Sequence, residues 1–352
     1  MSVTEVEFEA RGAEEGQALS GAVEGRSQWQ LTWRRLRSDR VSMIALAVIV
    51  IMILLALAAP LFVHLTGHPP NVAYPDTGQD ASGNPVGPGV HGFWLGTDGT
   101  GRDLFIRILY GARISLFVGL FTTAIATVAG VSIGLLAGYF GGFIDTVLAR
   151  FTDAALAFPY VVLAIALAAL FGPSLPLIVG MITFFSWAGI ARIVRGQTLS
   201  IKEKEYIEAA RSLGAGPFRI MFLDILPNLL APVLVIATLY IPNAVIFEAT
   251  LSFLALGIQP PTASWGNILA EATNFYQTSW WYVVFPALFL LVTTLAFNLL
   301  GDGIRDAMDP RTERLLAARR NKRGKKKRKA PTAGHAGPTK DLPDPPRQPV
   351  TG

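Results

Sequence analysis

The chain contains no cysteine, so neither a disulfide framework nor a thiolate metal site can be built from its 352 residues, and cysteine usage says nothing about compartment. Charge is scarce as well. Asp, Glu, Lys and Arg make up 16% of the residues, against about 25% in an ordinary soluble domain. With 51% hydrophobic residues and a mean hydropathy of +0.44, that deficit points to a bilayer. No G-x-x-x-x-G-K-S/T segment occurs, so the phosphate cradle of a P-loop nucleotide hydrolase is missing, and Gly99-Thr100-Gly101 reads as a glycine-rich turn. The histidines His64, His68, His91 and His335 are scattered over loops and a tail, without the i, i+4 spacing of a helical metal site. His91, Asp98 and Asp103 carry the atoms of a nitrogen and oxygen ligand set. Asp98-Gly99 is nevertheless a turn pair, and Asp103 suits the first turn of a helix, where a carboxylate meets the positive end of the dipole. No repeat of solenoid type is present.

What is there is a series of apolar runs of spanning length. The sequence predicts an all-α polytopic membrane protein with six spans at 42–63, 114–139, 154–171, 177–194, 229–249 and 282–300. Residues 1–28 are poor in apolar side chains and lack a basic start, so they read as a disordered tail and not as a signal peptide. Residues 29–80 form an anchor region, in which Trp29, Trp33, Arg34, Arg35, Arg37 and Arg40 make a basic, aromatic approach to the first span. Residues 81–112 hold no run of spanning length and are expected outside the hydrocarbon, with a helix over about 102–111 lying along the membrane surface. Asp145, Arg150 and Asp153 would each cost roughly 2.5 to 3.5 kcal/mol near a span centre, so the third span is expected to enter the bilayer only near Ala154. The same cost ends the fourth span before Arg192 and Arg195.

Six spans put both termini on one side. Basic residues crowd the N-terminal approach, the 192–219 segment and the tail at 312–352, whereas the loops at 64–110 and 257–281 hold few. By the positive-inside rule the former are cytoplasmic. The net charge of +5 comes mainly from the tail, a basic and Pro-rich segment suited to fixing topology or meeting anionic lipid. Glu248, near the outer end of the fifth span, is an ionisable group at a depth where such groups are functional suspects. Snorkelling to the interface or a hydrogen bond to a neighbouring subunit is the plainer reading.

The polar insert at 205–228 needs a partner outside the bilayer. Tyr206, Ile207, Ala210 and Leu213 follow a three-to-four spacing, while Lys204, Glu205, Glu208 and Arg211 point elsewhere, which predicts a short amphipathic helix. Gly214 is placed to end it in the left-handed conformation, Gly216-Pro217 to restart the chain with proline in a first helical turn, and Pro227 to close the second helix. A helix pair that merely links two spans satisfies the same pattern. A DNA-reading helix-turn-helix does not, because spans tether it at both ends.

The order Glu208, Ala209, Ala210, then Gly214, then Ile225, Leu226, Pro227 resembles the EAA loop of ABC importer permeases. The segments at 93–116, 251–269 and 296–311 are similar to the C-type permease subunit of dipeptide, oligopeptide and nickel importers, and the likeness covers roughly 29–311. The resemblance implies a type I ABC importer (MetI-like) permease fold, with a core at 113–302 preceded by an extra N-terminal span and a long extracytoplasmic loop. It implies a non-catalytic subunit in a bacterial or archaeal cytoplasmic membrane, paired with a second homologous permease, two cytoplasmic ATPases and an extracytoplasmic substrate-binding protein. ATP and Mg would be bound by the ATPases; no cofactor, metal or nucleic acid is expected on this chain. Tyr206, Glu208, Ala209, Ala210, Arg211, Gly214, Ile225, Leu226 and Pro227 would couple to an ATPase, and Arg102 and Asp103 are the residues to test for a receptor contact. The cargo stays open between peptides and nickel or another small solute. An ion-coupled secondary transporter is the alternative of another class, for which Glu248 offers almost the only buried ionisable group.

Overall fold

The computed structural model describes residues 28–308, so the expectations for the two tails lie outside the described residues, apart from Gln28, which opens the first helix. Eleven helices of eight residues or more organise that region: α1 (Gln28–Ser38), α2 (Arg40–Leu57), α3 (Ala59–Thr66), α4 (Leu104–Phe140), α5 (Gly142–Ala157), α6 (Tyr160–Phe171), α7 (Leu175–Lys202), α8 (Glu205–Ser212), α9 (Pro217–Phe253), α10 (Trp265–Ala272) and α11 (Trp280–Met308). Among them, α2, α4, α7, α9 and α11 are each long and apolar enough to cross a membrane, and the bent pair α5–α6 supplies a sixth crossing if counted as one.

The centre of the bundle is the contact between α4 and α7. Gly130, Gly134 and Gly138, spaced by four, lie on one face of α4, and a methyl group at each would come within 2.6 to 2.8 Å of Ile190, the Ala191 carbonyl or Thr198. Glycine lets the two backbones close on each other where no hydrophobic effect drives helices together. The pairing advances in the same direction on both helices, so α4 and α7 run parallel. Gly119 meets Val245 of the antiparallel α9, and Ser42 of α2 fills the space left by Gly303 of α11.

Several expected boundaries move. The surface helix at 102–111 and the span at 114–139 are one continuous helix, α4, because nothing between Tyr110 and Arg113 interrupts the hydrogen-bond ladder and Gly111 is held against the Ser264 and Trp265 backbone. The first span stops at Leu57, where α3 restarts with Pro60 in its first turn. The third, expected unbroken over 154–171, bends by 80° between α5 and α6. Phe158 is extended ahead of Pro159, whose ring disfavours helical backbone in the preceding residue. The fourth and sixth spans run on to Lys202 and Met308, and the fifth starts at Pro217. Charge does not end the fourth because it is paired: Arg195 Nη2 donates to Asp145 Oδ2 at 2.6 Å, and Arg192 Nη2 to Asp153 Oδ1 at 2.6 Å, joining α7 to α5.

Candidate functional site

The bundle has two ends. At one, α7 hands over to α8 and then α9; at the other, residues 67–103 and α10 form a cap over the starts of α4 and α11 and the end of α9. The expected helix lies in α8. Its termination is a complete C-cap in which the Ala215 N–H reaches the Ala210 carbonyl at 3.0 Å and the Gly214 N–H reaches Arg211 at 3.0 Å, with Gly214 at φ +84°. Only glycine adopts that backbone without penalty. Gly216 then caps a helix with Pro217 in its first turn.

Of the predicted contact residues, Tyr206, Glu208, Ala209, Arg211 and Gly214 are exposed, and Ala210 is half-buried. Desolvation, followed by the Asp224 carboxylate, pushes the Tyr206 hydroxyl pKa up. Ile207 is fully buried in a cluster with Ile201, Ile220, Met221 and Ile225, side chains of α7 and α9. Leu213 departs from the expected apolar face. It is 89% exposed, because it is the cap residue, already leaving the helix as the chain swings to Gly214. Pro227 does not close a helix either. A widened π-helical turn, Ile220–Ile225, precedes it, with the Leu226 N–H reaching back five residues to Met221, and α9 continues through the proline. The wider turn accommodates a ring that donates no hydrogen bond. Ile225 is buried, Leu226 half-buried and Pro227 exposed. Phe218, Phe222 and Leu223 are exposed beside Leu213's loop, and an apolar groove of about 520 Å³ opens between α4 and α9 next to them.

At the cap the polarity turns inward. Arg102 and Asp103 are both buried, which removes them from the surface a receptor could meet. Asp103 caps α4, accepting from the Ile106 N–H at 3.1 Å, and lies 2.8 Å from His68 Nδ1; burial pushes its carboxyl pKa up against those two hydrogen bonds. Arg102 donates to Asp98 at 2.5 Å and to Glu271 at 2.9 Å. Arg107, also fully buried, lies 3.0 Å from Asp98 and 3.7 Å from Glu271, and the Tyr282 hydroxyl donates to Glu271 at 2.9 Å. Two guanidinium and two carboxylate groups thus balance, tying the 67–103 loop to α4, α10 and α11. Sequence reasoning missed Arg107 and Glu271; an isolated arginine in an apolar helix was the available signal.

Glu248 does not snorkel. It is fully buried, accepting from Ser115 Oγ of α4 at 2.6 Å and from Ser252 Oγ at 2.8 Å, while the Ile258 N–H donates to Ser252 Oγ at 3.0 Å. The carboxyl group therefore fastens the loop after α9 to two spans.

Residues 130–314, just over half of the chain, match the family described as binding-protein-dependent transport system inner membrane component, and residues 27–82 match the N-terminal TM domain of oligopeptide transport permease C. The chain is 40% identical to the dipeptide transport system permease protein DppC of Alkalihalophilus pseudofirmus, covering 81% of this chain and 90% of that one. It is 41% identical to the oligopeptide transport system permease protein OppC of Haemophilus influenzae, covering 82% and 90%, and 42% identical to that of Escherichia coli K12, covering 82% and 93%. A solved inward-facing structure of the MetNI methionine ABC transporter aligns with 57% of this chain and 96% of its own at 20% identity, with a TM-score of 0.48.

Proposed function

We propose that this chain, which belongs to the family of binding-protein-dependent transport system inner membrane components, forms one transmembrane half of an ATP-driven importer of dipeptides or oligopeptides. The α8 end faces the cytoplasm and docks a separate ATPase, a second permease supplies the other half of the path, and an extracytoplasmic binding protein delivers substrate at the cap. ATP and Mg are bound, and ATP hydrolysed, by the ATPase pair.

One observation carries the docking. α8 exposes Glu208, Ala209, Arg211 and Leu213 while its single buried side chain, Ile207, is inserted between α7 and α9. An exposed leucine beside charges with no ion-pair partner among the described residues is a surface that a partner covers, and fully burying such a side chain gains roughly 1.5 to 3 kcal/mol. Closure of the ATPases on ATP would move α8, and Ile207 would pass the displacement to α7 and α9 together. α7 carries α5 through the two arginine–aspartate pairs, so the helices tilt as a group. Access alternates because ATP binds the two states with different affinity. Peptide is chosen over nickel because the relatives above are named for peptides.

In a reconstituted complex with its ATPases and binding protein, Glu208→Lys and Leu213→Asp should leave membrane insertion intact and lower ATP-driven dipeptide uptake at least about tenfold, the loss expected of an interface hot spot. Unchanged uptake in both variants would remove the docking assignment. Uptake of Ni²⁺ but not of dipeptide would leave the docking and overturn the cargo.

A further inference from the structure

Arg113 stands apart from the other arginines of the cap end. Arg102 and Arg107 face carboxylates, whereas Arg113 has none among the described residues: its Nε donates to the Ala56 carbonyl at 2.6 Å and its Nη2 to the Leu57 carbonyl at 3.1 Å, and its guanidinium lies 5.2 Å from the centre of the Tyr110 ring. Those bonds close the end of α2 and, among the described residues, leave the charge without a counter-ion and Nη1 without a protein partner. A cavity of about 260 Å³ opens at this point, lined by Asn71, Tyr110, Arg113 and Thr262. The side chains of Asn71 and Thr262 are exposed and make no protein hydrogen bond among the described residues. A cation and several free donors thus converge on a space smaller than the roughly 300 Å³ at which pockets for drug-sized ligands begin.

Beneath Arg113 on the same face of α4, at i+4, i+7 and i+8, lie Phe117, Leu120 and Phe121, all exposed, with the two phenyl rings stacked 5.1 Å apart. The end of α2 beside the cavity exposes Leu54 and Leu57. A guanidinium at the end of a span, above an uncovered apolar stripe, matches one kind of molecule in charge and in length: an acidic headgroup joined to hydrocarbon chains. We propose that this cavity binds the phosphodiester of a phospholipid in the leaflet opposite α8, with its acyl chains along Phe117, Leu120 and Phe121. Arg113 would meet the phosphate as a charge-assisted donor, supported by Asn71, Tyr110 and Thr262. The bound lipid would seal the junction of α2 with α4, where the first span ends. This site is separate from the α8 docking surface and stands whether or not that reading holds.

The test is native mass spectrometry of the full chain in its assembled complex, stripped of loose lipid by detergent and then titrated with phosphatidylglycerol. One phosphatidylglycerol should bind to the wild type, and binding should weaken at least about tenfold in Arg113→Gln, the loss of one charge-assisted contact. Because Arg113 also caps α2, the double change Asn71→Leu with Thr262→Val serves as a second variant that leaves Arg113 in place; it should weaken binding by severalfold with an unchanged melting temperature. Millimolar inorganic phosphate or dialanine should not displace the lipid. Equal lipid binding in the wild type and both variants would overturn the proposal. So would displacement by inorganic phosphate, which would make the cavity a plain anion site, displacement by dialanine, which would make it a substrate subsite, or a cross-link from position 117 to the second permease under lipid-saturated conditions.

Discussion

The two ends of the bundle spend their charged residues in opposite ways. At the cap, Asp98, Arg102 and Arg107 are buried and answer one another, with Glu271 closing the group, and the buried Asp103 meets His68. At the α8 end, Glu205, Glu208 and Arg211 are exposed with no ion-pair partner among the described residues, and Leu213 lies open beside them. Charges removed from water must be paired where they are, so the cap is specified by this chain alone. Among the described residues, Ile207 is the one buried side chain of α8, and on the proposed reading its exposed surface is completed by an ATPase. The two ends thus differ in kind, one with its charges paired internally and one with its charges and an apolar side chain left on the surface, and the spans connect them.

That contrast can be broken on the scale of stability. The largest loss is expected at the cap: Arg107→Ala breaks a buried ion pair, leaving Asp98 with Arg102 as its remaining arginine partner, and should cost about 3 to 5 kcal/mol, read as a lowered unfolding midpoint of the purified protein in detergent. A small shift there would mean that water reaches the network. Next comes Ile207→Ala, for which about 2 kcal/mol, the lower end for a buried isoleucine, is expected because the site lies at the edge of the bundle and can collapse. Uptake should fall with it. Gly214→Ala places a side chain at φ +84° and should cost about 1 kcal/mol, measurable as a modest drop in the same midpoint. Least of all, Glu208→Lys should change stability by no more than about 0.5 kcal/mol while uptake is lost. If Glu208→Lys instead destabilised the isolated chain as Arg107→Ala does, the two ends would not differ in kind.

Much of the α8 end could be read from the sequence because its signals are local. Gly214 and Gly216-Pro217 act within a turn of their own positions, and the structure places them as the pattern implies. Leu213 was misassigned because periodicity does not register where the cap falls. The cap itself was hidden for the opposite reason. Arg107 meets Glu271 across more than 160 residues of chain, and no local pattern announces a pairing at that distance. The same blindness shortened the fourth span: Arg192 and Arg195 look too costly to extend a helix until Asp153 and Asp145 are seen across from them. Pro227 misled in a subtler way, since proline stops a regular helix but is absorbed by the π-helical turn ahead of it.

The most direct test of the account uses the absence of native cysteine. Ala209→Cys can be introduced as the sole thiol of this chain and offered to a short bifunctional maleimide in inverted membrane vesicles containing the assembled complex. A covalent adduct with the ATPase subunit is expected, its yield changing when ATP is added, with no such adduct from Trp94→Cys at the cap. An Ala209→Cys that never joins the ATPase, or that is labelled by a membrane-impermeant maleimide from the outside of intact cells, would contradict it.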